Sequence, residues 1–203
     1  MEYLSPLVAR AVDEISKLPG IGKKTALRLA LHLLKQPTSY TKELSNSLEE
    51  LREQIKYCKT CHVIAETEEC NCYSAYNDFS TICVAEETPD VLAIKNTGQY
   101  NGLFHVLGGR ISPVDGIGPE DLNIDSLVSR VKSSSQIEEI ILALSATIEG
   151  DTTAFYITKL LTDHPVKVTT IARGIPVGSE LEFADEVSLG RSITTRTLFD
   201  QGI

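Results

Sequence analysis

The chain has 203 residues, of which 42% are apolar and 23% charged, and 28 acidic against 19 basic side chains give a formal net charge of −9. Such a globular composition excludes a disordered, collagenous or coiled-coil chain and suits one or two modest domains with real cores. No apolar run is long enough to span a membrane, and the first ten residues lack the basic-then-apolar pattern of a secretory signal.

Ser5-Pro6 reads as a helix cap followed by proline at the first helical position. Leu7, Val8, Ala11, Val12, Ile15 and Leu18 then repeat at helical spacing. This helix stops at Leu18-Pro19-Gly20-Ile21-Gly22. A second helix is predicted over 23–34 and a third over 41–57, the latter with Leu44, Leu48, Leu51 and Ile55 as its apolar stripe. Residues 1–57 are thus a helical unit. Residues 58–73 suit a short metal knuckle better than regular elements.

Beyond Ser80 the pattern changes. Strands are expected over 81–85, 103–107, 140–144 and 166–171, alternating with helices over 89–96, 124–131 and 151–161. That alternation implies an α/β domain with a mostly parallel sheet over 80–175, followed by a tail over 176–203. The whole is an α+β chain of several parts. Its longest loop, 108–123, holds four glycines and two prolines, and loops of that length are usually functional or mobile.

Charge is unevenly spread. Residues 1–42 carry seven basic and three acidic side chains, a local net of +4 on a chain that is otherwise strongly acidic. A basic head of this kind can touch an anion locally while the rest repels it. Charge alone favours the plainer reading, a solvated helical surface. The segment Leu18-Pro19-Gly20-Ile21-Gly22-Lys23-Lys24 adds more. Glycines permit a tight turn and close backbone approach, and the free N–H groups of the next helix can hold a phosphate. Lys23 and Lys24 sit at that helix start and Arg28 one turn on, so Gly20, Gly22, Lys23, Lys24 and Arg28 are candidate DNA contacts.

Four of the five cysteines, Cys58, Cys61, Cys70 and Cys72, fall within fifteen residues. Tight clustering and an odd count argue for thiols around a metal rather than disulfides. Cys58-x-x-Cys61 is a zinc half-site, whereas Cys70-Asn71-Cys72 is one residue shorter than the usual partner, which lowers the expected affinity. His62 is a substitute ligand. A full set of four would make the zinc structural, with no open position for water. Cys83, in an apolar run, is expected to be a buried filler.

Glu86 follows the first predicted strand, and Glu149-Gly150-Asp151 follows the third. Ligand sites in parallel sheets collect at the carboxyl ends of strands, so these three carboxylates are a candidate magnesium site. Spacing alone slightly favours the plainer reading, in which Asp151 only complements a helix dipole.

A Pro-Gly-x-Gly helix-hairpin-helix, a four-cysteine knuckle and an α/β domain in this order resemble the bacterial RecR family. The resemblance rests on Ile82-Cys83-Val84-Ala85-Glu86, Ser112-Pro113-Val114-Asp115-Gly116-Ile117-Gly118-Pro119, Thr147-Ile148-Glu149-Gly150-Asp151 and Ala172-Arg173-Gly174-Ile175-Pro176-Val177-Gly178. It implies a Toprim domain, a Walker-B-like C-terminal tail and a DNA-binding recombination mediator. It further implies work with RecO-like and RecF-like proteins to place RecA at single-stranded gaps in the bacterial cytoplasm. A ring of identical subunits, a tetramer, is implied through the helical unit and the tail. Glu86, Glu149 and Asp151 would lie on the acidic face that meets RecO.

Catalytic Toprim enzymes carry Asp-x-Asp where Ser145 and Thr147 stand here. Hydroxyls cannot supply the two negative charges of a magnesium-assisted phosphoryl transfer, so neither magnesium nor catalysis is expected. The alternatives are a magnesium-dependent Toprim nuclease, primase or topoisomerase, and a protein scaffold without DNA contact.

Overall fold

The computed structural model describes residues 5–67 and 78–197. The chain divides into two units, 1–55 and 56–203. In the first, α1 (Pro6–Ile15), α2 (Lys23–Leu33) and α3 (Thr38–Gln54) follow one another. The Ser5 hydroxyl accepts from Leu7 N at 3.2 Å and so caps α1, with Pro6 at the first helical position. α1 and α2 meet through buried Val12, Ala26 and Ala30, bordered by Val8, Ile15, Ile21 and Leu27. The two alanines are small enough to let the helices close tightly. None of α3 is buried, and Tyr40, Leu44, Leu48 and Leu51 are exposed along it.

The third helix ends earlier than its periodicity predicts. Ile55 turns extended, and Lys56–Tyr57 form β1, pairing antiparallel with β2 (Ile64–Ala65). Backbone groups that helix continuation would have used are spent on this hairpin, which brackets Cys58 and Cys61.

The second unit continues through β3 (Thr81–Ala85), α4 (Thr88–Asn96), β4 (Leu103–Val106), α5 (Ile124–Ser133), β5 (Glu139–Ala143), α6 (Ile148–Leu160), β6 (Lys167–Thr170) and α7 (Glu186–Thr194). Four strands form one parallel sheet in the order β4-β3-β5-β6. Both faces are covered, which is why these strands read as apolar runs rather than alternating ones. Ile82, Val84, Ile140 and Leu142 meet Leu127 and Val131 of α5, Ile157 of α6 and Leu161 just past its end. Cys83, Ala85, Phe104 and Val106 meet Val91 of α4. Cys83 is the buried filler expected of it, and burial pushes its thiol up to about 12.

Two buried polar groups on β4 and α5 are tied to backbone. His105 Nε2 lies 2.9 Å from Asn123 O, and burial pushes the imidazole down to about 3, so it is neutral. Arg130 Nη1 donates to Phe104 O at 2.9 Å. α6 starts ahead of its predicted position, because the Thr147 hydroxyl accepts from Gly150 N at 3.1 Å and is the cap. Asp151 therefore lies inside the first turn. The tail, read only as a tail from sequence, contains α7, whose cap Asp185 accepts from Ser188 N at 2.9 Å.

Candidate nucleic-acid interface and carboxylate site

The hairpin of the first unit is built by a reversal after α1. Ile21 N donates to Leu18 O at 3.1 Å, and Gly20 sits at φ +76°, a conformation other residues resist. Gly22 is the residue before α2 and supplies no side-chain cap, so the first amides of α2 have no side-chain partner there. A Cβ at Gly22 would meet no protein atom, so internal packing does not demand glycine at that position. Close approach of something outside the fold would.

The first turn of α2 carries no acid. Lys23 Nζ lies 3.5 Å from Asp13 Oδ1, so its charge is shared. Lys24 and Arg28 are exposed, and His32 and Lys35 continue the same face around an open hollow of about 700 Å³. The sequence reading missed His32 and Lys35, although the 24, 28, 32, 35 spacing of basic residues on a helix is the signal for them.

In the second unit, the connections leaving β3 and β5 run to opposite sides, which opens a crevice at their carboxyl ends. Glu86 lies there and is buried. Its Oε1 accepts from Ser145 N and Ser145 Oγ, each at 2.7 Å, and its Oε2 accepts from Arg110 Nη1 at 3.2 Å. Ser145 Oγ lies 3.2 Å from Thr147 Oγ1. Gly150 leaves room for this arrangement, since a Cβ there would overlap the Ser145 carbonyl. Gly108 and Gly109 donate their amides to Glu86 O at 2.9 and 3.0 Å, both at positive φ.

Asp151 stands between two arginines, Arg173 Nη1 at 2.6 Å and Arg191 Nη2 at 3.6 Å. The Glu149 carboxylate has no hydrogen bond or ion pair among the described residues. The three carboxylates are therefore differently employed: Glu86 and Asp151 are each answered by arginine, and Glu149 is not. Arg110, Arg173 and Arg191 carry this site as much as the acids do, and the sequence reading assigned none of them.

At the knuckle, Cys58 and Cys61 are buried in a turn closed by Cys58 N to Val63 O at 3.0 Å and His62 N to Cys58 O at 2.9 Å. Cys58 Sγ accepts from Thr60 N at 3.3 Å and Cys61 N at 3.5 Å. Cys70 and Cys72 lie outside the described residues. His62 sits at φ +58°, with its Nε2 2.8 Å from Ser126 Oγ on α5. Among the described residues no group of three metal-ligating side chains forms.

Three family models cover most of the chain. A RecR helix-hairpin-helix model matches residues 8–52, a Toprim domain 80–172 and a RecR C-terminal model 174–197. A recombination protein RecR from Cytophaga hutchinsonii is 58% identical over 201 residues, covering 98% of both chains. This chain belongs to the RecR family. The same name is borne by a protein of Flavobacterium johnsoniae, 56% identical over 202 residues and covering 99% of this chain and 98% of its own. One from Amoebophilus asiaticus is 58% identical over 200 residues, covering 98% of this chain and 100% of its own. The hairpin of α1 and α2 falls inside the first RecR segment. Glu86, Ser145 and Asp151 fall inside the Toprim segment, and Arg173 and Arg191 sit at or beyond its end. No helix among the described residues is long and apolar enough to cross a membrane.

Proposed function

We propose that this RecR-family chain is a non-catalytic mediator that holds nucleic-acid backbone through the α1–α2 hairpin and helps to load RecA at single-stranded gaps. Family membership carries a role in recombinational DNA repair, and nothing favours the enzymatic alternative. The observation that supports backbone contact is the loop itself. A Cβ at Gly22 would meet no protein atom, the first amides of α2 have no side-chain cap, and Lys24 and Arg28 stand exposed next to them. Such a site grips phosphates without reading bases.

Two positive charges per hairpin neutralise few phosphates, so binding depends on several hairpins displayed together. The exposed Leu44, Leu48 and Leu51 on α3, and Leu181, Phe183 and Val187 near α7, support assembly into a ring of identical subunits, a tetramer. RecO-like and RecF-like proteins are the partners, with Glu149 as the free carboxylate for the RecO contact. Ser145 and Thr147 in place of Asp-x-Asp, with Glu86 and Asp151 held by arginines, support a Toprim domain without magnesium or phosphoryl transfer. Zinc is held by Cys58, Cys61, Cys70 and Cys72 as a structural ion. The work is done in the cytoplasm.

The test is fluorescence anisotropy of a gapped duplex titrated with the protein across a salt series. The Lys24→Ala, Arg28→Ala variant weakens binding and flattens the slope of log K against log salt by about 1.4 per hairpin engaged on the single-stranded gap, or about 1.8 on its duplex flanks. An unchanged slope in a folded, assembled variant would place the DNA contact elsewhere.

A further inference from the structure

Beyond β6 and the first turn of α6, the second unit has an open hollow of about 820 Å³, lined among others by Asp151, Thr170, Arg173, Arg191, Ser192 and Arg196. Three arginines and one aspartate line it, in a chain whose formal net charge is −9. That local excess of positive charge runs against the composition of the whole and is separate from the hairpin.

Each guanidinium has five N–H donors, and one carboxylate accepts about four. Asp151 is ion-paired with Nη1 of Arg173 and Nη2 of Arg191, and Arg196 Nη1 donates to Ile193 O at 3.2 Å. The nearby acid, Asp185, is committed to capping α7 through Ser188 N. Donors therefore exceed acceptors. Asp151 holds two guanidinium forks by a single anion, so they are placed before any ligand arrives, and less rotamer freedom remains to be lost on binding. A planar fork matches a phosphate's oxygens in pairs, which a lysine ammonium does not.

We propose that this arginine-lined hollow is a phosphate-binding site, in which Arg173, Arg191 and Arg196 hold the phosphates of a nucleotide or of a DNA backbone. The chemistry replaces one positive charge with another. In a metal-dependent site a divalent cation bridges protein carboxylate and phosphate; here guanidinium groups bridge Asp151 and phosphate. The hollow is of the size that takes a nucleotide.

The test is isothermal titration of the full chain, in magnesium-free buffer, with sodium pyrophosphate, with ATP, and with a short oligothymidylate. Wild type is compared with Arg196→Ala, with Arg191→Ala, Arg196→Ala, and with Arg191→Lys, Arg196→Lys. Pyrophosphate binds wild type, loses about tenfold or more in affinity in the double alanine variant, and recovers only partly with lysines. Tighter binding of ATP than of pyrophosphate assigns the site to a nucleotide. Oligothymidylate binding that the double variant weakens even in a Lys24→Ala, Arg28→Ala background assigns it to DNA backbone. The proposal is overturned if none of the three ligands binds wild type. It is equally overturned if binding is unchanged in both Arg196→Ala, which perturbs only an exposed residue, and the double alanine variant.

Discussion

Neutralising Glu86 separates a structural carboxylate from a metal ligand by the sign of the effect. In Glu86→Gln the shape is kept, and the amide oxygen can still accept from Ser145 N and Oγ. The amide nitrogen then faces the Arg110 guanidinium, donor against donor. Hydrogen bonds to a charged group contribute about 1.5–3 kcal/mol, and losing the charge roughly halves them. The Arg110 side chain is 43% exposed, so its share is that of a solvent-screened pair, about 1 kcal/mol or less. Together these give a loss of about 2 kcal/mol, or a fall in Tm of roughly 4–8 °C for a chain of this size. Calorimetry with and without magnesium reads it. A carboxylate waiting for a cation in an acidic cluster would behave oppositely, because neutralisation relieves repulsion. The reasoning is refuted if Glu86→Gln melts within about 1 °C of wild type or above it, or if magnesium stabilises wild type and not the variant.

Gly150→Ala forces a Cβ into the Ser145 carbonyl and destabilises the second unit by about 3 kcal/mol or more, measured as a lower urea midpoint. Gly22→Ala meets no atom and costs folding at most about 1 kcal/mol, yet weakens DNA binding by roughly the fivefold that 1 kcal/mol represents, read by anisotropy. His105 is held neutral, with its folded pKa below its unfolded one, so the unfolded chain binds the extra proton between about pH 3 and 6.5. Its stabilising effect is complete above pH 6.5 and is lost as pH falls through that window, by at most about 1.4 kcal/mol per unit. Urea melts from pH 4.5 to 7 show that slope, and His105→Gln reduces it.

Local chemistry was legible in the sequence, and distant pairing was not. The hairpin could be read from Pro19, Gly20, Gly22 and the lysines because a helix end and its loop are adjacent in the chain. The strands could be read because burial on both faces leaves continuous apolar runs. Ser145 and Thr147 were visible as letters. What they do to Glu86 was not, since Arg110 reaches it from a different loop, and no periodicity links the two. Arg173 and Arg191 meet at Asp151 only after β6 and α7 are placed, and α7 itself is short and carries Gly190 within it. The end of α3 was misread because the apolar period runs on to Ile55, whereas pairing with residues 64–65 turns the backbone extended there.

β4 is an outer strand of the sheet, and the cysteine turn lies along it. Val106 N donates to Cys61 O at 2.9 Å, and Val63 packs against the cluster of Cys83, Phe104 and Val106. An uncovered strand edge offers its amides to any other chain. The turn that carries Cys58 and Cys61 thus also guards solubility. Loosening it would leave the buried sheet standing but open one margin to intermolecular pairing, so damage to the cysteines would surface first as aggregation of folded protein rather than as unfolding.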